Sequence, residues 1–88
     1  MKVFFHHQCE KDVRRCKKAG WDMTLFERFM NDCERWPLPQ KYEAHELLGE
    51  KKGIWDIHLR QNWLVFLKKE GDTITLLRTG THASLGLE

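Results

Sequence analysis

The segment Arg78-Thr79-Gly80-Thr81-His82 closes a β-patterned run, Thr73 to Leu77. It brings a permanent cation and a titratable imidazole to the end of a strand. Imidazole is the side chain best matched to proton transfer near neutral pH. Two more histidines, His45 and His58, lie upstream in the other β-patterned region. Three imidazoles and a guanidinium on so small a chain point to acid–base chemistry on an anion, or to a metal site. The metal alternative fits less well. A structural zinc site wants four clustered ligands, whereas these histidines are separated and Cys9, Cys16 and Cys33 fall on helix-patterned segments. His6 and His7, just before Cys9, are a weak metal cue and otherwise read as strand-end surface residues.

Alternation decides where the imidazoles point. In Ile54 to Leu59, one face carries Trp55, Ile57 and Leu59, and the other carries Ile54, Asp56 and His58. The more apolar face belongs against helices, which leaves Asp56 and His58 on the open face of a sheet. Arg78 and His82 share strand parity with Gly80 between them. The absent side chain at Gly80 suggests close approach of a substrate backbone. Lys51, Lys52, Arg60, Lys68, Lys69 and Arg78 surround the histidines and suit a phosphate backbone held without base reading. The lysines and arginines of the first helix read as a solvated face.

The elements that position these groups follow from pattern. Lys2 to His6 reads as a short strand. Cys9, Val13 and Cys16 recur at i, i+4 and i+7, so Gln8 to Ala19 is an amphipathic helix ended by Gly20. Asp22 is a good N-cap for a second helix running to about Arg35, with Trp21 placed to staple Phe26. Trp36-Pro37-Leu38-Pro39 stops it. Beyond Pro39 the period becomes two. Lys41 to Leu47 reads as extended, Leu48 to Gly53 as a polar turn, and Ile54–Arg60, Trp63–Lys69 and Thr73–Gly80 as strands. Asn62 in the first hairpin tolerates the positive φ of tight turns. The order is β-α-α-β-β-β, an α+β fold with a helical hairpin packed on a mostly antiparallel four-stranded sheet.

The 88 residues form one domain, 1–88, with a single shared core and no room for a cofactor domain. Hydrophobic content of 41% with four tryptophans argues for a globule. A net charge of +2 permits an anionic partner without requiring one. The odd cysteine count, with no C-x-x-C pair, reads as reduced thiols in a cytoplasmic protein. The longest apolar run, Trp63 to Leu67, is far short of a membrane span.

Four linked segments carry a resemblance. They are His45-Glu46-Leu47-Leu48-Gly49; Gly53-Ile54-Trp55-Asp56-Ile57-His58-Leu59; Asn62-Trp63-Leu64-Val65-Phe66; and Leu77-Arg78-Thr79-Gly80-Thr81-His82-Ala83-Ser84-Leu85. In order and spacing they resemble the YafQ-like branch of the RelE/ParE toxin superfamily. The helical hairpin before them fits the same RelE-like fold. The resemblance implies a type II toxin acting as a ribosome-dependent endoribonuclease, an mRNA interferase that cuts translated mRNA in the 30S A site without metal or cofactor. It implies a cognate antitoxin as partner, and operator DNA bound through the antitoxin complex. Carried over by position, the catalytic histidines fall on His45, His58 and His82. His45 or His58 is then the base and His82 the acid, with Arg78 on the phosphate and Lys51 and Lys52 as outlying contacts. Two positions depart from the pattern. Asn62 stands where the family usually has aspartate; an amide can orient a group but not take its proton. Gly86 stands where an aromatic usually follows, so base stacking falls to Trp55 or Tyr42. Both departures suit reduced activity. The alternatives are a ParE-like gyrase poison, whose sheet would not need three histidines, and a catalytically weak homologue serving in an antitoxin or repressor complex.

Overall fold

A computed structural model describes residues 1–49 and 53–86. The chain runs β1 (Lys2–Phe5), α1 (His7–Lys18), α2 (Met23–Glu34), β2 (His45–Glu46), β3 (Ile54–Arg60), β4 (Trp63–Glu70) and β5 (Thr73–Gly80), with a 3₁₀ turn at Gln40–Tyr42. The strands form one sheet in the order β1-β5-β4-β3-β2. β1 pairs with β5 in parallel, and the other neighbours are antiparallel. The sheet has five strands, not four. The added one is β2, two residues long, inside the segment expected to be extended from Lys41 to Leu47. That segment is otherwise not extended: Gln40–Tyr42 is helical, and Glu43 takes the left-handed conformation (φ 46°) that turns the chain into β2.

Local chemistry explains the helical hairpin. His6 caps α1, its Nδ1 accepting the Gln8 N–H at 3.1 Å. It is therefore a capping group and not only a strand-end surface residue. At the other end Gly20 sits at φ 83°, its N–H bonding the Lys17 carbonyl while the Trp21 N–H bonds that of Cys16. This paired closure is the Schellman arrangement, which a left-handed glycine permits. Asp22 caps α2, accepting from the Thr24 N–H at 3.1 Å. Trp21 and Phe26 meet through Trp63, with ring centroids 4.8 Å and 6.3 Å from it.

The helices cover one face of the sheet. Ile57, Val65, Leu67, Ile74 and Leu76 bury completely against Cys9, Phe26, Phe29 and Cys33, with Trp55 and Leu59 packed at the margin. The other face stays open and carries Asp56 and His58, as alternation requires. After β5, Thr81 to Gly86 turns back on the sheet. The Thr81 N–H donates to Ser84 Oγ at 2.9 Å, and the Ser84 N–H donates to Thr81 Oγ1 at 3.0 Å. This reciprocal pair is a capping-box geometry that fixes the turn carrying His82.

Candidate active site

Register places the histidines. His45 on β2 stands opposite Asp56 on β3; Asp56 stands opposite Phe66 on β4, and Phe66 opposite Arg78 on β5. The next row is His58, Leu64 and Gly80. Directly opposed residues share a face, so His45 and His58 lie on one face in adjacent rows. His82 follows Gly80 by two residues. The His58 and His82 rings are 6.5 Å apart, centroid to centroid, and line one cleft with Lys41, Glu43, Arg60 and Gln61. His45 is exposed at the sheet edge, one row over.

The orientation of His82 is set by Asn62. The His82 backbone N–H reaches the amide at 3.1 Å, and ring Nδ1 lies 2.7 Å from the same atom. A backbone N–H can only donate, so the amide atom facing it is the oxygen. Nδ1 facing that oxygen must then carry a proton. In the neutral ring the lone pair is on Nε2; in the charged ring Nε2 donates. Asn62 therefore has a side-chain task. Its backbone is not left-handed, since Glu43 is the positive-φ non-glycine residue among those described.

Asp56 is the polar group sequence reasoning left without a task. Its Oδ2 lies 3.8 Å from His58 Nε2, while Oδ1 is buried with no hydrogen-bond partner among the described residues. A buried oxygen without a donor is costly. It lies between the two imidazoles of β2 and β3, in register with one and beside the other. Open-face parity was the signal available for it.

Arg78 is held by Asp12 of α1. Its Nε donates to Asp12 Oδ2 at 2.7 Å and its Nη2 to Asp12 Oδ1 at 3.3 Å. The buried Thr79 N–H donates to the same carboxylate at 3.1 Å. The hydrogen bond it donates to Asp12 raises the guanidinium pKa, so Arg78 stays charged. Arg78 lines an open-face groove with Leu47, Ile54, Asp56, Phe66, Leu77 and Leu85. The cations lining the His58–His82 cleft are Lys41 and Arg60. Lys51 and Lys52 lie outside the described residues.

Three expectations change. Tyr42 is buried, and its hydroxyl donates to Asp32 at 2.6 Å, so it has no face for a base. Trp55 packs edge-on against Trp36 at 5.0 Å, within the margin of the core. Gly80 leaves room for Ser84 and Leu85, not for a substrate: a Cβ there would run into Ser84 Oγ.

Comparison with known proteins agrees with this architecture. Residues 1–86 match the family model described as the bacterial toxin of a type II toxin–antitoxin system, YafQ. The chain belongs to the YafQ toxin family. Among YafQ relatives, the Escherichia coli mRNA interferase toxin YafQ is 35% identical over 85 residues, covering 94% of this chain and 92% of that protein. The crystal structure of the E. coli DinJ–YafQ toxin–antitoxin complex contains a chain that superposes with a TM-score of 0.87 at 32% identity, over 96% of this chain and 94% of that one. A metal-bound toxin from Helicobacter pylori superposes at 0.84 with 26% identity, over 97% and 98%. The RelE-like α+β architecture expected from the sequence is thus the YafQ fold. Among the described residues, no three of His, Cys, Asp and Glu are grouped to hold a metal.

Proposed function

We propose that this type II toxin is an mRNA interferase that cuts RNA between His58 and His82. The observation that supports it most is the pairing of those rings across one cleft, with Asn62 fixing the His82 tautomer so that Nε2 is the working nitrogen. RNA cleavage needs a base at the 2′-oxygen, an acid at the 5′-oxygen and positive charge at the phosphorane. His58 takes the 2′-OH proton as that oxygen attacks phosphorus. The P–O5′ bond breaks, and His82, entering as the imidazolium with its Nδ1–H on Asn62, gives its Nε2 proton to the departing 5′-oxygen. The products are a 2′,3′-cyclic phosphate and a 5′-hydroxyl. Lys41 and Arg60 meet the non-bridging oxygens, and Arg78 lies with Asp56 in the adjoining groove, placed for the next phosphate. His45, opposite Asp56, is a second contributor through that carboxylate.

The E. coli relative in the DinJ–YafQ complex has an antitoxin partner, and the same relation is proposed here. A cognate antitoxin inhibits this chain and carries the pair to operator DNA. The ribosomal A site presents the mRNA, and the cytoplasm is where both meet. Among the described residues, no helix is long and apolar enough to cross a membrane. The test is induced expression with primer extension on translated messages. Cuts that disappear in His58→Ala and His82→Ala support the reading. Growth arrest with intact mRNA and damaged DNA would support a gyrase poison, and no arrest a weak homologue.

A further inference from the structure

We propose that a cavity beside the cleft, roofed by Trp21, is a nucleobase subsite that takes a base flanking the scissile phosphate. The proposal rests on the reading of that cleft as an RNA-cleaving site. The cavity measures about 380 Å³ and is lined by Trp21, Asp22, Arg60, Asn62, Trp63 and Thr81. It joins the cleft through two of these residues: Arg60 lines both, and Asn62 holds His82. A nucleotide with its phosphate at His58 and His82 therefore has its neighbour's base within reach of this space.

The walls suit a heteroaromatic ring with donors and acceptors. Trp63 forms the floor: it is buried, with Nε1 donating to Thr79 Oγ1 at 2.9 Å. Trp21 meets it edge-on at 4.8 Å and is itself only half-buried, which leaves an indole surface to stack on. Arg60 lines the same cavity, its Nη2 3.9 Å from Asp22 Oδ2. Guanidinium planes and aromatic faces are the surfaces on which unstacked RNA bases lie. Asp22 Oδ1 is committed to Thr24, and Oδ2 is the oxygen turned towards Arg60. The Thr24 bonds, and then Arg60, hold this carboxyl below its ordinary pKa, so it presents an anionic acceptor. Asn62 has given its oxygen to His82 and keeps its NH₂ to donate.

A carboxylate oxygen is a poor partner for a phosphate and a good one for an exocyclic amine. A base with both an exocyclic amine and a ring acceptor fits the pair Asp22 and Asn62; uracil can reach the carboxylate only through its ring N3–H, which lies between two carbonyls that repel that charge. A purine also offers the larger stacking face. This subsite supplies the stacking that Gly86, Tyr42 and Trp55 do not.

The test is a map of cut positions on translated mRNA, read as base frequencies on each side of the cut. The variants are Asp22→Ser and Trp21→Leu. Serine still caps α2, so Asp22→Ser removes the carboxylate and leaves the helix. The wild type should disfavour uracil at one flanking position. Asp22→Ser should relax that preference by about tenfold, the scale of one base-edge contact, and Trp21→Leu should lower cutting at all sites. Melting curves check that each variant is folded. Wild-type cutting with base frequencies that Asp22→Ser leaves unchanged overturns the subsite alone. A wild type that cuts no RNA overturns the subsite and the nuclease reading together. Unchanged frequencies with lost capture of the antitoxin by Trp21→Leu overturn the RNA assignment in favour of a protein segment in the cavity.

Discussion

Asp12→Ala should be among the most damaging single changes in the chain, although the residue lies outside the His58–His82 cleft. Its carboxylate is 1% exposed and accepts three hydrogen bonds, two from Arg78 and one from the Thr79 N–H. Removing one partner of a buried ion pair costs about 3–5 kcal/mol. The figure must be reduced here, because the Arg78 side chain is 35% exposed and can take up water. The Thr79 N–H cannot, since Thr79 is 2% exposed, and an orphaned buried donor costs about 1–3 kcal/mol. A total of ~3 kcal/mol follows, a large share of the roughly 5–15 kcal/mol that holds a small domain together. At about 4–8 °C per kcal/mol for a domain of this size, the melting temperature should fall by roughly 12–24 °C. Asp12→Asn keeps an acceptor for Thr79 and should lose roughly half as much. Thermal unfolding followed by circular dichroism measures both. A shift of under 3 °C for Asp12→Ala would refute the reasoning, since it would mean that Arg78 and Thr79 are equally well served by solvent.

Other outcomes follow from the same geometry. Asn62→Ala removes the acceptor that orients His82 and should slow cleavage by roughly tenfold or more with little change in melting temperature. Asn62→Asp places a carboxylate there, which favours the imidazolium. The alkaline limb of its pH–rate profile should move to higher pH, and an unmoved limb would contradict the contact. Gly80→Ala drives a Cβ into Ser84 Oγ. It should cost about 1–3 kcal/mol as an overpacked site, and it should cut activity further by displacing the turn that carries His82. The Cys9 and Cys33 thiols are each pushed by burial from 9.0 up to about 12. A raised folded pKa means that stability is fully present below pH 9 and lost as pH climbs towards 12. Denaturant midpoints should fall across that window, and by less in Cys9→Ala; a flat profile would contradict the assignment.

Features with local causes could be read from the sequence. The Gly20 stop, the Asp22 cap and the open-face parity of Asp56 and His58 each depend on a few neighbouring residues. Groups whose partners are distant in the chain could not. Asp12 lies on the inner stripe of α1 with Cys9, Val13 and Cys16, but its partner is 66 residues away, so a charge there reads as part of the solvated face. The stripe itself was the available signal, because an aspartate on the buried side of a helix requires a cation. Asn62 and His82 are 20 residues apart. The amide looked like turn chemistry because its use depends on how the last turn folds back. β2 escaped because two residues make no pattern.

His82 is proposed to deliver a proton to the 5′-oxygen. This step is tested most directly with an mRNA carrying sulfur in place of that bridging oxygen at the cut site, since a thiolate leaves without a proton. His82→Ala should cut ordinary mRNA about 10²–10⁴-fold more slowly than the wild type, the scale of a lost acid–base catalyst. On the sulfur substrate it should recover to within roughly tenfold of the wild type, while His58→Ala stays slow on both. An equal defect for His82→Ala on both substrates would contradict the account.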